Sequence, residues 1–300
     1  MDLFKKFKEN KLVESVQTLQ SAAKTVNNLI SLISDSKVST SVREMLQGLR
    51  TVITEKPNIT TINHYINHFL LKIDPENQPI VIKELLEVFH ERWKNVDRKT
   101  AEVAYRHFDF DNKTILLFGN DINIQSLIEY LDVNQKKFNL IQIVHPTERP
   151  DKEQAEIFAG KGLKVTAIDM AGVGRYIQSA DIVLMGCDII MHDTTIAKSG
   201  AHLLAAVAKK YHKPVFIMAD SRKILNKKFF SPGVLSTIIG KEQKPGDELW
   251  KQAADNIDVQ VHYTEEVPNT LITQFILEKE ALTPKELKEK IDKVLVANFF

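Results

Sequence analysis

Two sets of residues in this chain have the types and spacing to do chemistry. The first lies in the stretch Ala180 to Ala219, reading ADIVLMGCDIIMHDTTIAKSGAHLLAAVAKKYHKPVFIMA. There an apolar run ends in Gly186-Cys187-Asp188, and Lys198-Ser199-Gly200 opens a long apolar-periodic segment. Asp188, at the end of an apolar strand, can act as a general acid or base, because burial raises a carboxyl pKa toward neutrality. It can equally be a turn or capping carboxylate. Lys198, Ser199 and Gly200 offer one anion both an ammonium and free helix N–H groups, the most specific phosphate-site signal in the sequence. The second set comes from two other strand ends. Gly119-Asn120-Asp121 is either a tight strand-to-helix turn or a place where backbone N–H groups receive a phosphate. In Thr147-Glu148-Arg149-Pro150, the planar donor fork of Arg149 suits phosphate or carboxylate, unless it pairs with Glu148 or Asp151.

Other chemistries lack their signatures. Cys187 is the chain's single thiol. Strand alternation points it away from the Asp188 face, which suits a small buried filler. There is no Gly-x-Gly-x-x-Gly dinucleotide fingerprint and no Gly-x-x-x-x-Gly-Lys-Ser/Thr phosphate loop. The nine histidines, His192 and His202 included, show no zinc-ligand spacing, so neither a metal nor a cofactor is expected.

The elements that must position these residues read as an open α/β sheet. Ala180 to Ala219 has the form of one βαβ unit, with strands at Ile182 to Met185 and Val215 to Ala219, a polar loop after Asp188, and a helix over Ser199 to Tyr211. Before it come strands at Thr114 to Phe118, Phe138 to Val144 and Lys164 to Ile168. Helices are predicted between them at about 123–131 and 151–159, with a short one over 172–178. Asp258 to His262 is the expected last strand, and Pro284 to Val294 a terminal helix. Ligands of such sheets bind outside the carboxyl ends of the strands, where Asp188 and Lys198 fall. Ahead of this half, apolar residues recur with a helical period from Leu12 to Phe108. The expected organisation is therefore an N-terminal helical domain over 1–110 and a Rossmann-like, mainly parallel α/β domain over 111–300.

Composition bounds the partners. Forty basic residues face 39 acidic ones, and the net charge is +1, without the basic excess that holds a nucleic-acid backbone. One cysteine leaves no disulfide framework and suggests a reducing compartment. The lysine-rich start, Met1 to Asn10, has no signal-peptide core, and no apolar run reaches the roughly 20 residues that span a bilayer. A cytoplasmic protein with neither nucleic acid nor membrane as direct partner is expected.

Several stretches taken in order carry a family likeness: TILLFGNDIN (Thr114 to Asn123), Thr-Glu-Arg-Pro, Ala180 to Asp188, Ala197-Lys-Ser-Gly-Ala201, Lys213-Pro214-Val-Phe-Ile-Met, and Tyr263 to Pro284. Across Lys99 to Val294 their succession resembles the translation initiation factor 2B alpha/beta/delta subunit family. That family also includes methylthioribose-1-phosphate and ribose-1,5-bisphosphate isomerases. The resemblance implies self-association or assembly with paralogous subunits, contact with initiation factor 2, and a pocket for a phosphorylated sugar or nucleotide lined by Gly119, Asn120, Arg149, Asp188, Lys198, Ser199 and Gly200. In the family's isomerases the turn after the first strand is Thr-His-Cys-Asn-like, and its cysteine works with the aspartate matched by Asp188. This chain has Phe118-Gly119-Asn120 there, lacks the Arg-Gly-Ala and Ile-Glu-Glu-Arg-like stretches, and carries Ala197 where an asparagine precedes the family lysine. The losses imply a regulatory subunit with no catalytic residue, and the retained aspartate leaves an isomerase using Asp188 as the alternative.

Overall fold

A computed structural model describes residue 88 and residues 91–145, 149–225, 243–244, 246, 249–254 and 256–293. The chain divides into two compact units, Met1–Lys94 with Leu295–Phe300, and Asn95–Val294. The helical patterns expected over Leu12 to about Ile80 lie outside the described residues, as do Thr147 and Glu148.

The unit Asn95–Val294 is built on a seven-stranded sheet. Helix α1 (Val96–His107) leads into β1 (Lys113–Phe118), α2 (Ile122–Val133), β2 (Phe138–Ile143), α3 (Pro150–Gly160) and β3 (Val165–Ile168). A 3-10 turn and the short α4 (Val173–Tyr176) precede β4 (Ile182–Met185). The two-residue β5 (Ile189–Ile190), β6 (Thr194–Lys198), α5 (Ala201–Lys210) and β7 (Val215–Met218) follow. The last segments are β8 (Gln243–Lys244), β9 (Val261–His262), β10 (Thr264–Pro268), β11 (Gln274–Ile276), β12 (Ala281–Leu282) and α6 (Pro284–Asp292). The main sheet runs β12-β11-β7-β4-β1-β2-β3, with every pairing parallel except that of β12 with β11.

The strands are apolar on both faces because both faces are covered. In β1, Ile115 and Leu117 join Ile124, Leu127 and Ile128 of α2 and Phe158 of α3 in one cluster. Leu116 and Phe118, pointing the other way, join Leu204 and Ala205 of α5 and Leu287 and Ile291 of α6 in a second. Each fully buried side chain of this size contributes about 1.5–3 kcal/mol, so these two clusters outweigh any polar contact in holding the layers together. Helix α6 starts where sequence places it. Pro284 follows Thr283, whose hydroxyl accepts from the Glu286 N–H while the Glu286 carboxylate accepts from the Thr283 N–H, a reciprocal cap.

One consequence of the strand order governs the site. β1 pairs with β2 on one side and with β4 on the other, so the sheet's direction of growth reverses between β1 and β4. Where it reverses, the crossover helices leave to opposite faces and a crevice opens at the strands' carboxyl ends.

Two expectations need correction. The polar loop after Asp188 is a hairpin: β5 and β6 pair antiparallel, and β6 pairs with β10 in a separate three-stranded sheet. Its residues, Thr194-Thr195-Ile196-Ala197-Lys198, are strand formers only when a partner strand covers them, and β10 lies some 70 residues away in sequence. The expected last strand, Asp258 to His262, contributes only Val261–His262 to a two-stranded ribbon with β8, while the sixth parallel strand of the main sheet is β11. Among the described residues no helix is long and apolar enough to cross a membrane.

Asn269 ties the hairpin to the segment between β10 and β11. Its buried side chain donates to the Met191 carbonyl at 2.9 Å and accepts from Thr195 Oγ1 at 2.7 Å. Asn269→Ala strands both partners away from water and is expected to cost roughly 2–6 kcal/mol in urea unfolding, at about 1–3 kcal/mol per unpaired group.

Candidate functional site at the sheet's reversal point

Three strand-end turns meet at the crevice. After β1, Gly119 takes a left-handed φ of 83°, and Asp121 caps α2 by accepting from the Asn123 N–H at 2.8 Å. After β4 comes Gly186-Cys187-Asp188. A Cβ placed on Gly186 would lie 2.5 Å from Asp121 Oδ2, so the absence of a side chain is what lets these two turns close on each other. After β7, Asp220 caps the 3-10 turn Ser221–Lys223 and holds the Arg222 guanidinium through Nε at 2.7 Å and Nη2 at 3.0 Å. Lys223 joins all three turns: its Nζ donates to the Cys187 carbonyl at 2.7 Å and to Asp121 Oδ2 at 3.3 Å. A fourth segment braces them, since the Glu278 carboxylate accepts from both the N–H and the hydroxyl of Ser221.

Burial and charge set the protonation states. Burial pushes the half-buried Asp188 carboxyl above the ordinary range of 3.8; Lys223 opposes the shift and Asp121 adds to it. Burial would do the same to Asp220, but the Arg222 fork and Lys223 hold it below the usual carboxylate range. Burial disfavours the Lys223 ammonium, yet Asp121 first, and then its other acidic neighbours, raise it, so it stays charged. The buried Cys187 thiol is pushed upward by desolvation and stays protonated, which removes it as a nucleophile.

The residues singled out from sequence divide into those the fold brings together and those it does not. Lys198 reaches the β1 turn. Its stem passes Gly119, with Cδ 3.9 Å from where a Cβ would sit, and its Nζ donates to Oδ2 of the buried Asp151 at 2.6 Å, 5.7 Å from the Phe118 ring centroid. Gly119 accepts through its carbonyl from Gln154 Nε2 at 3.0 Å. The exposed Asn120 braces that turn, donating to the Pro150 carbonyl and accepting from Gln125. Asp188 stands at the β4 turn beside Lys223. Arg149 is exposed and paired with Glu153 at 2.6 Å, one helical turn along α3, while Asp151 is held by Lys198. Ser199 is exposed, and its N–H donates to the Tyr263 carbonyl. The phosphate cradle expected at Lys198-Ser199-Gly200 is filled by the chain itself: Glu265 Oε1, from β10, accepts from the Gly200 N–H at 2.7 Å and the His202 N–H at 2.8 Å. A carboxylate supplies the negative charge that the first turn of α5 attracts, so those N–H groups are already satisfied.

Sequence reasoning passed over Asp220, Arg222, Lys223 and Glu265, and read Asp151 only as a partner for Arg149. One signal was available. Asp220 ends the apolar run VFIMA just as Asp188 ends IVLMGC, and two strand-end carboxylates in neighbouring parallel strands face one crevice. The arrangement suits carboxylates that accept hydrogen bonds from ligand hydroxyls, one of them able to carry a proton.

Two outcomes follow from this geometry. Gly186→Ala forces Asp121 away from Lys223 and is expected to lower stability by roughly 1–3 kcal/mol in urea unfolding. Because the folded chain holds the Asp188 proton more tightly than the unfolded one, stability should fall as pH rises from near 3.8 through the raised value. Asp188→Asn should remove that slope from unfolding midpoints measured across pH.

Comparisons agree with this architecture. The family model described as the initiation factor 2 subunit family matches residues 11–284. The ribose 1,5-bisphosphate isomerase of Archaeoglobus fulgidus is 24% identical over 276 residues, covering 88% of this chain and 83% of that protein. The tetrameric eIF2B-beta2-delta2 complex from C. thermophilum contains a chain of similar fold, with a TM-score of 0.73, 17% identity, and coverage of 92% of this chain and 90% of that one. The 5-methylthioribose 1-phosphate isomerase of Pyrococcus horikoshii OT3 has a TM-score of 0.72 at 15% identity, covering 98% of this chain and 87% of that one.

Proposed function

Because the chain belongs to the initiation factor 2 subunit family, we propose that it is a regulatory subunit that assembles with copies of itself or with paralogous subunits, contacts initiation factor 2, and binds without turning over a phosphorylated sugar or nucleotide. Asp188 accepts hydrogen bonds from the ligand's hydroxyls, and Lys198 pairs with its phosphate. The observation that carries the reading is the chemistry of the β1 turn. It presents Gly119 and Asn120 where the resembling isomerases place a thiol, and the chain's one cysteine is buried on another turn with its thiol held protonated. A glycine performs no thiolate chemistry. Assembly is supported by the likeness of fold to a subunit of a tetramer.

Native mass spectrometry of the purified chain, alone and mixed with paralogous subunits and initiation factor 2, tests this reading. A dimer or higher assembly is the expected result, and a strict monomer that joins none of them at micromolar concentration would sink it.

A second reading, a sugar-phosphate aldose–ketose isomerase, is favoured by one feature: Asp188 is a carboxyl raised by burial at the crevice, the property of a general acid. The extent of the match to a ribose 1,5-bisphosphate isomerase adds to it. Incubation with ribose 1,5-bisphosphate or methylthioribose-1-phosphate, followed for ketose formation, separates the two. The regulatory reading expects none. Turnover that disappears in Asp188→Asn would establish the isomerase, since loss of a general acid or base costs roughly 10²–10⁴-fold.

A further inference from the structure

Lys223 is a largely buried ammonium that the ligand-binding reading leaves without a task. Placing a charge there is expensive unless its partners are close and well directed. Those partners are distributed over the crevice: Asp121 from the β1 turn, Cys187 and Asp188 from the β4 turn, and Asp220 with its bound Arg222 from the β7 turn. Arg222 cannot take over the role, because its fork is spent on Asp220.

We propose that Lys223 is the positioning residue of Asp188, fixing the peptide from which that carboxylate projects and supplying its counter-charge. The proposal rests on the reading that Asp188 meets the ligand. The geometry is specific on the first point. The carbonyl that Lys223 holds at 2.7 Å belongs to Cys187, the residue whose peptide bond leads into Asp188. The other side of the same peptide is held too, since the Asp188 N–H donates to the Ile196 carbonyl of β6 at 2.8 Å. A peptide plane clamped on both edges leaves the Asp188 side chain only its own torsions to explore. On the second point, Asp188 is surrounded by burial and by the Asp121 carboxylate, both of which favour its neutral form, and Lys223 is the cation that opposes them. Asp121 is drawn to the same ammonium at 3.3 Å, so the charges of the two carboxylates are balanced against one lysine.

The experiment is a pH titration of the intact protein labelled with ¹³C at aspartate carboxyls, with the Asp188 resonance assigned by its loss in Asp188→Asn. Lys223→Met is expected to move the Asp188 midpoint upward by about one pH unit or more, as removal of a near opposite charge does. Lys223→Arg should leave it in place. Asp121→Asn should move it downward, because the like charge is gone and Lys223 is left to Asp188, while asparagine still caps α2. A Lys223→Met protein that is merely less stable, with the midpoint unmoved, overturns the proposal. If that variant does not fold, Asp121→Asn decides: a midpoint that stays or rises overturns it as well. No ligand is needed for this readout. Normal titration shifts with no binding of any phosphorylated sugar would therefore sink the ligand reading alone.

Discussion

The reversal of strand order at β1 is the constraint on which the rest depends. A parallel sheet that grows outward in both directions from one strand must send its crossover helices to opposite faces, and it leaves the carboxyl ends of β1 and β4 side by side. Asp121, Asp188, Asp220 and Lys223 are delivered there by the turns after β1, β4 and β7. The turns approach closely because Gly186 has no side chain to keep Asp121 at a distance. Two apolar clusters, one on each face, make the sheet rigid enough to hold those turns in register.

Charge balance is the second organising fact. Asp121, Asp188 and Asp220 meet Arg222 and Lys223 where burial is deep, and Asp188 and Asp220 are shifted in opposite directions. Asp220, gripped by a bidentate guanidinium, stays ionised, while Asp188 is pushed toward its neutral form. Environments that separate the pKa values of neighbouring carboxyls are how a fold assigns distinct roles to identical side chains. The cations that sequence offered to an incoming anion are each met by a carboxylate of the chain: Lys198 by Asp151, Arg149 by Glu153, and the first turn of α5 by Glu265. A ligand entering this crevice must exchange with those partners, which favours compounds that bring hydroxyl groups for the carboxylates as well as charge for the lysine.

The chain shares its fold both with a 5-methylthioribose 1-phosphate isomerase and with a subunit of an eIF2B complex, so the fold does not choose between the two roles. In this chain the β1 turn carries Gly119 and Asn120, and the single thiol, Cys187, is buried on the β4 turn.

The sequence by itself determined the α/β class, five of the six parallel strands, the helices that follow them, and the lack of a thiol after β1. These features are written in short-range patterns: apolar runs of strand length, helical periods, and the residue types at strand ends. The placement of Asp188 at a strand end was legible for the same reason, whereas Lys198, read as opening a helix, closes β6. The tertiary structure alone decided who meets whom. Lys223 lies 102 residues from Asp121, Glu265 lies 65 from Gly200, and Asp151 lies 47 from Lys198. Periodicity specifies neighbours within a helical turn or across a strand's pleat, and it carries no information on which distant turn a crossover will bring alongside. The β5–β6 hairpin and β11 stayed hidden for a related reason, since segments of two to five residues become strands only when another part of the sheet supplies their hydrogen bonds.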